Sequence, residues 1–246
     1  WDKQNTQFPI TDYLAEQSAD IVCFQEYWNS PKMPSDSLCQ LLHLPYYKAK
    51  YLPGSPHSGS VIFSKYPIIH SGQIPLGVTQ NDAMWADIQI ENQTFRVISC
   101  HLQTTNFSQK RKELVPSELY SNDLNQIHST FRDVLSTLEK NFKIRAQQAD
   151  LIRHVIDTTT YPVIVCGDFN DTPASYTYHR IKGDLSDGFR KCGNGYGYTF
   201  RGLRNLLRID FILYSAPFYG LQYQSPDLPW SDHKPVLMEL EIKQTH

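Results

Sequence analysis

The sequence has no Gly/Ser-rich linker, no low-complexity run and no internal repeat that would divide its 246 residues. A chain of this length can bury a substantial core, and layered α/β domains of this size are often single. The residues of chemical interest are scattered from position 26 to position 233. A site assembled from both ends of the chain also favours one domain over residues 1–246.

An excess of charge of either sign is also lacking. The formal net charge is -2 and the pI is about 6.5. Proteins that attract nucleic acid by general electrostatics usually carry a strong basic excess, so this class is disfavoured. A metal-dependent enzyme is still compatible with a phosphate-bearing substrate, because a bound cation supplies local positive charge.

The five cysteines form no CxxC pair, no His/Cys cluster and no disulfide framework, which argues against a zinc site. Cys23, Cys100 and Cys166 lie in apolar runs, where cysteine behaves as a small hydrophobic residue. The pattern favours reduced thiols and a reducing compartment such as the cytoplasm.

No signal peptide and no apolar run of membrane-spanning length is visible. The chain opens at Trp1 rather than at a methionine, and we expect it to begin inside a longer protein. Localisation therefore stays open between the cytoplasm and a membrane-anchored enzyme.

Strand-like runs interspersed with helical patterns predict an α/β sandwich with mixed sheets. A hairpin is expected at 83–91 and 94–101, with its turn at Asn92-Gln93. Residues 29–57 are rich in Pro and Ser and are expected to be mainly loop. Other helices are predicted at 9–17, 144–156 and 173–181, and other strands at 21–24, 60–63, 162–166, 209–214, 219–223 and 235–242.

One further helix is predicted between the hairpin and the strand at 162–166. Apolar residues recur at steps of three and four from Tyr120 to Phe142, which predicts an amphipathic helix over about 118–143. We expect it to pack on its own domain, with contact to a membrane or a partner protein as the alternative.

Polar side chains stand at the ends of several predicted strands, where packing does not select for them. Each has a simple structural explanation when taken alone, such as an Asx turn at Asp168 and Asn170. Together they could converge on one sheet edge, where acidic oxygens suit a hard cation and histidine can move a proton. The candidates are Glu26, His101, Asp168, Asn170, Asp210, Asp232 and His233.

Seven short strings spread over nearly the whole chain carry a family pattern. They are 23–26 (CFQE), 59–68 (GSVIFSKYPI), 100–102 (CHL), 167–170 (GDFN), 198–200 (YTF), 208–213 (RIDFIL) and 231–236 (SDHKPV). In this order they resemble the endonuclease/exonuclease/phosphatase superfamily. The resemblance implies a four-layer α/β sandwich, in which two mixed β-sheets pack face to face with helices outside.

The sequence departs from the family in two places. The family has an asparagine on a first strand upstream of the first helix, and this chain starts too late to contain that strand. The helical stretch at about 104–143 is identified as an insertion relative to compact members of the superfamily.

The resemblance implies a hydrolase that depends on Mg²⁺ or Mn²⁺. Glu26 would be the principal metal ligand, and Asp232 would lie at the metal or orient its water. Asp168 would orient or deprotonate the attacking water, and Asn170 would contact the scissile phosphate.

The resemblance also implies a phosphate clamp. His101 and His233 would bind phosphate oxygens, with Asp210 holding His233. The favoured substrate is a phosphodiester, either in nucleic acid or in a phospholipid or small molecule. A phosphomonoesterase of the same fold and a non-catalytic binding module are the alternatives, and the oligomeric state is left open.

Overall fold

The computed structural model describes residues 7–52, 54–77, 79, 81–105 and 124–243. Its helices are α1 (Gln7–Gln17), α2 (Ser35–Leu42), α3 (Leu124–Thr158), α4 (Tyr176–Lys182), α5 (Gly188–Cys192) and α6 (Gly202–Asn205). Its strands are β1 (Ile21–Trp28), β2 (Tyr46–Leu52), β3 (Ser55–Ser64), β4 (Ile68–Ile74), β5 (Asp82–Ile90), β6 (Gln93–His101), β7 (Val163–Asp168), β8 (Ser186–Asp187), β9 (Asp210–Tyr214), β10 (Phe218–Gln224) and β11 (Leu237–Ile242).

Among the described residues, the strands form a six-stranded sheet in the order β4-β5-β6-β7-β9-β8, a three-stranded sheet β1-β3-β2 and the pair β10-β11. The six-stranded sheet is mixed, because β6 and β7 run parallel and its other neighbours run antiparallel. The predicted α/β fold with mixed sheets and helices outside is confirmed. Hydrogen bonding nevertheless divides the strands into three groups rather than the two sheets that the resemblance implied.

Alternation of side chains along the strands produces the layers. On β3, Phe63 points to a cluster shared with α1 and α2, whereas its neighbour Ile62 points to the six-stranded sheet. On β6, Val97 faces back toward Ile62, and Ile98 faces the opposite side, where it packs in one cluster with Ile152 of α3. The layers therefore run helices, sheet, sheet, helices.

A cleft of about 1140 Å³ lies between β1 and β11, the facing strands of the two smaller sheets. Its floor is apolar and includes Ile88, Val97 and Ile164 from the six-stranded sheet. The carboxyl end of β7 opens into the same cleft through Asp168. The cleft thus connects the space between the sheets with the polar strand ends.

The two helices predicted around residue 143 are one continuous helix, α3. Neither Gly nor Pro occurs between Leu124 and Thr158, so nothing in the sequence interrupts it. Residues 118–123 of the predicted helix lie outside the described residues. On this helix Leu135 and Phe142 are 49% and 48% exposed. Contact of the helix over 118–143 with a membrane or a partner protein stays a prediction. Among the described helices, none combines the length and hydropathy needed to cross a membrane.

The prediction of mainly loop for 29–57 is wrong. Helix α2 follows Pro34, whose extended backbone suits a helix start, and it buries Leu38 and Leu42. Strand β2 then pairs along β3, and its outer face carries exposed polar residues such as Lys48. The Pro and Ser residues lie near the ends of these elements, and their frequency led to the wrong prediction of one long loop.

Candidate active site

A row of polar side chains crosses four neighbouring strands of the six-stranded sheet. Asp82 of β5 lies opposite His101 of β6, His101 lies beside Asp168 of β7, and Asp168 lies opposite Asp210 of β9. Residues in register on adjacent strands project to the same face of a sheet. Sheet pairing alone therefore brings together three of the predicted site residues, together with Asp82.

The hairpin turn places Asp82 in this row. The turn lies at Glu91-Asn92, where Glu91 takes a left-handed φ of 54°. The prediction of a turn at Asn92-Gln93, one residue further along the chain, is therefore wrong. Moving a turn by one residue shifts the pairing by two, and His101 therefore faces Asp82 rather than Met84. Asp82 accepts hydrogen bonds from the backbone N–H (3.0 Å) and the hydroxyl (2.7 Å) of Ser60, which ties β3 to β5.

Gly167 explains how β7 can lie so close to β6. Its φ of 133° is a conformation that favours glycine. A Cβ atom at this position would lie 1.9 Å from the carbonyl oxygen of Cys100 on β6. Glycine is therefore required beside Cys100, and the next residue, Asp168, arrives next to His101.

The turn after β7 fixes the Asp168 carboxylate. Asn170 adopts a φ of 51°, which asparagine tolerates better than most residues. Its backbone N–H donates to Asp168 Oδ1 at 2.7 Å, and its Nδ2 donates to Asp168 Oδ2 at 2.9 Å and to the Leu102 carbonyl at 3.0 Å. Asn170 thus orients Asp168 directly, whereas its contact with phosphate stays a prediction.

A β-bulge aims Glu26 into the cleft. The register between β1 and β3 shifts between Phe24 and Tyr27, and Glu26 itself has a φ of 53°. Its side chain is 68% exposed, and Oε1 lies 3.9 Å from His101 Nε2. With the described residues, the Glu26 carboxylate makes no hydrogen bond. Within the described part of the chain, these oxygens are therefore available to a ligand.

His233 is paired with Asp210. Its Nδ1 lies 2.9 Å and 3.1 Å from the two Asp210 oxygens, and its Nε2 lies 3.9 Å from Asp168 Oδ2. The buried Thr199 bonds to the backbone of Asp210 and of Lys234, the residue after His233. Its hydroxyl accepts the backbone N–H of Asp210 at 3.1 Å, and its carbonyl accepts the N–H of Lys234 at 2.7 Å.

All seven predicted site residues line the one cleft between β1 and β11. The sequence model of the Endonuclease/Exonuclease/phosphatase family matches residues 4–233. The chain belongs to this family. The resemblance drawn from seven short strings is therefore confirmed, and the chain has the fold of a phosphohydrolase family.

Solved structures of the family show the same fold at low identity. Zebrafish (D. rerio) TDP2 in complex with single-stranded DNA product has a TM-score of 0.67 and 15% identity, with 98% of this chain and 94% of that chain covered. A mannosyl-6-phosphatase from Bacteroides thetaiotaomicron has a TM-score of 0.63 and 17% identity, with coverages of 95% and 90%.

A third family protein, from Beutenbergia cavernae, has a TM-score of 0.63 and 16% identity. The alignment covers 95% of this chain but only 65% of that longer chain. No curated protein matched the sequence significantly.

The surroundings of Asp168 and His233 shift the pKa values of both side chains. Burial, reinforced by the nearby charge of Asp210, raises the pKa of Asp168 to about 6. Burial by itself would lower the pKa of His233, but the charge and hydrogen bond of Asp210 outweigh it and raise that pKa to about 10. At neutral pH the site therefore holds a carboxylate of moderate basicity beside an imidazolium.

The donor set suits a hard divalent cation. Among the described residues, Asp168, Asp210 and His233 place one possible ligand atom each within 4.8 Å of one another. A protonated His233 has no lone pair for a cation, so the carboxylates are the donors that count. Glu26 and Asp232, the predicted metal residues, line the same cleft without belonging to that group. Carboxylate oxygens concentrated around Asp168 fit Mg²⁺ or Mn²⁺ better than soft metals. The assignment of metal ligands stays a prediction.

Several residues that shape the site were not predicted from the sequence. Thr104 Oγ1 lies 3.5 Å from His101 Nε2, accepts from Asn81, and lies 3.4 Å from the Asn170 amide. Thr199 was quoted only as part of a family string. The correct hairpin register would have revealed Asp82. Arg145 carried a further signal, because a charged residue occupies the core-facing register of α3 together with Ala149 and Ile152.

Proposed function

We propose that this protein hydrolyses a phosphodiester at the Asp168 end of the cleft, with Mg²⁺ or Mn²⁺. One observation carries the proposal: the buried Asp168 carboxylate lies between two imidazoles. Its Oδ2 is 3.8 Å from His101 Nε2 and 3.9 Å from His233 Nε2. A base placed between two groups that can bind anionic oxygens is suited to the attack of water on phosphate.

Asp168 is the base in this proposal. A pKa of about 6 leaves the carboxylate mostly ionised at pH 7 and makes it more basic than an ordinary aspartate. The two hydrogen bonds from Asn170 fix its orientation, so one lone pair can receive the proton of a water molecule in the cleft. Asn170 then serves the attack by holding the base, in addition to its predicted phosphate contact.

His233 and His101 are the phosphate clamp. Because Asp210 engages Nδ1 of His233 and raises its pKa, the Nε2–H faces Asp168 as a charged donor. A charged donor stabilises the negative charge that builds up on phosphoryl oxygens in the transition state. His101 Nε2 lies on the other side of Asp168 and supplies the second contact.

Glu26 and Asp232 would hold the metal ion. The exposed Glu26 carboxylate without a hydrogen-bond partner among the described residues supports this assignment. When bound, a divalent cation would polarise a phosphoryl oxygen and stabilise the leaving oxyanion. The protein's own contribution is the bulge in β1, which presents Glu26 to the cleft.

The charge of the cleft favours a diester over a monoester. A phosphomonoester carries about one more negative charge at neutral pH than a diester does. Lys234 is the one Lys or Arg side chain among the described residues that line the cleft. A phosphomonoesterase is the second candidate, because the mannosyl-6-phosphatase from Bacteroides thetaiotaomicron shares the fold.

Purified protein is expected to hydrolyse bis(p-nitrophenyl) phosphate in the presence of Mn²⁺ and to lose this activity in excess EDTA. The release of p-nitrophenol measures the rate, and p-nitrophenyl phosphate serves as the monoester comparison. Activity that persists at full rate in EDTA would refute the metal dependence. Faster hydrolysis of the monoester would reverse the preference for a diester.

Glu26→Gln is expected to weaken the stabilisation of the protein by metal. A cation that binds only the folded state raises the melting temperature, and loss of a charged ligand reduces that shift. The shift in melting temperature is measured by differential scanning fluorimetry. Mn²⁺ is varied from 0 to about 100 times the concentration that half-saturates the wild type. Glu139→Gln on the exposed face of α3 is the control. Equal shifts in the wild type and Glu26→Gln would remove Glu26 as a ligand and favour a non-catalytic module.

A further inference from the structure

Arg145 is a buried charged residue on the core-facing side of α3. Only 1% of its surface is exposed, and it is the largest of the fully buried side chains among the described residues. Its Nε donates to Asp171 Oδ2 at 3.1 Å. Its Nη1 donates to the carbonyl of Gln103 at 2.8 Å and to Thr105 Oγ1 at 2.9 Å. One guanidinium therefore bonds to two separate loops.

Both loops belong to the candidate active site. The segment 102–105 directly follows His101 at the end of β6, and Asp171 directly follows Asn170 in the turn after β7. The neighbouring helical residue Gln148 adds a bond to the first loop, because its Oε1 accepts the backbone N–H of Gln103 at 2.9 Å. Helix α3 thus holds the two loops at a fixed separation.

The two loops also meet at Asn170, in the turn after β7. Asn170 Nδ2 donates to the carbonyl of Leu102 at 3.0 Å in the first loop while it donates to Asp168 at 2.9 Å in the second. A change in the separation of the loops would break or lengthen one of these two bonds. The orientation of Asp168 therefore depends on the spacing that Arg145 sets.

The bonding pattern requires arginine. A guanidinium donates in several fixed directions from one planar group, whereas a lysine ammonium is a compact charge on a flexible stem. Asp171 is itself shared, since its Oδ2 also accepts the hydroxyl of Thr177 at 3.0 Å. Lysine could keep the charge pair with Asp171 but could not also reach both acceptors of the first loop in the same geometry.

We propose that Arg145 is a positioning residue for hydrolysis, which acts through Asn170 to hold Asp168 in line with the attacking water. This inference rests on the proposed function of the site. Arg145 itself is buried and does not line the cleft. Its effect should therefore fall mainly on kcat, because His233 and the proposed metal ligands Glu26 and Asp232 belong to neither of the two loops.

The test compares Arg145→Lys with the wild type, and the same substitution in an Asn170→Ala background. Misplacement of a catalytic group by about 1 Å costs on the order of 100-fold in rate. We expect Arg145→Lys to lower kcat by about 10- to 100-fold with little change in KM. In the Asn170→Ala background the same substitution should lower kcat by less than about threefold, because the route through Asn170 is already lost.

Arg153→Lys is the matched control. Arg153 lies on the same helix, is also largely buried with 16% of its side chain exposed, and pairs with Asp157 one turn away rather than with either loop. The kcat of Arg153→Lys should therefore equal that of the wild type. An equal loss for Arg145→Lys in both backgrounds would overturn the proposal, because a merely structural role does not depend on Asn170. A folded Arg145→Lys protein with wild-type kcat would also overturn it.

Amide hydrogen exchange of peptides covering 168–170 provides a readout that needs no substrate. The N–H of Asn170 is bonded to Asp168, and its exchange should speed up in Arg145→Lys but not in Arg153→Lys. Unchanged exchange would contradict the positioning role. If the wild type cleaves no phosphate ester, the proposed function fails, while the exchange experiment still decides whether Arg145 holds the turn.

Discussion

Asp168→Asn is expected to remove nearly all hydrolysis and, at the same time, to make the protein more stable at neutral pH. Asparagine has almost the shape of aspartate but cannot accept a proton from water. Loss of a general base typically costs about 10²- to 10⁴-fold in rate. We therefore expect a loss of about 10³-fold or more in kcat for the diester, since Asp168 also orients the water.

The gain in stability follows from the raised pKa. Burial and the neighbouring Asp210 raise the pKa of Asp168 to about 6 in the folded protein, from about 3.8 when it is exposed. The folded state therefore disfavours the carboxylate form. This cost is absent below about pH 4, grows as pH rises towards 6 and is complete above that value. One unit of pKa corresponds to about 1.4 kcal/mol, so removing the charge should raise the free energy of unfolding by about 1–3 kcal/mol at pH 8.

Urea unfolding with EDTA at pH 4 and at pH 8 measures this difference. The variant should exceed the wild type at pH 8 and match it at pH 4. Asp20→Asn is the control, because Asp20 pairs with Lys65 at the exposed surface and should change stability little at either pH. A stability difference that is the same at both pH values would show that packing rather than charge causes it.

Local sequence signals were sufficient to predict those parts of the site that lie at the end of a single strand. A strand that runs into Gly167-Asp168-Phe169-Asn170 predicts a polar turn, and the structure adds that Gly167 is required by contact with Cys100. The hydrophobic pattern also predicted β6 with His101 at its end. These features depend on residues that are neighbours in sequence, which is where patterns are reliable.

Pairing between distant strands could not be predicted in the same way. The parallel pairing of β6 with β7 joins residues more than 60 positions apart, and no local pattern specifies which residues meet. The hairpin shows how sensitive this is, because an error of one residue in the turn changed the partner of His101 from Asp82 to Met84. Family resemblance supplied what periodicity could not, namely that these strand ends converge.

The residues that support the site were harder still to predict. Arg145 stands in the core-facing register of its helix, which signals a buried charge, but the helix sequence does not indicate which groups it bonds to. Its role depends on acceptors in two loops that come near it only in the folded chain. Buried charges of this kind are specified by three-dimensional packing, because a charge without partners would be too costly to bury.

Asp210→Asn is expected to move both limbs of the pH–rate profile to lower pH. The Oδ1 of asparagine can still accept the Nδ1–H of His233, so the geometry of the pair is kept while the charge is lost. The pKa of His233, which Asp210 raises to about 10 against the effect of burial, should then fall towards or below its ordinary value of 6.5. Activity that requires protonated His233 should decline above about pH 6.5 rather than pH 10, with a loss of about 30-fold or more at pH 8.

The acidic limb should move in the same direction for a different reason. Asp210 is the second cause of the raised pKa of Asp168, after burial, so its removal lets Asp168 ionise at lower pH. The profile of kcat/KM from pH 4.5 to 10.5 measures both limbs, with Asp227→Asn at the exposed partner of Arg201 as the control. An alkaline limb that stays in place would show that His233 need not be protonated, and the charged clamp would then have to be assigned to another group. A shift of both limbs would instead show that the charge of one carboxylate, Asp210, sets the pKa of both the acid His233 and the base Asp168.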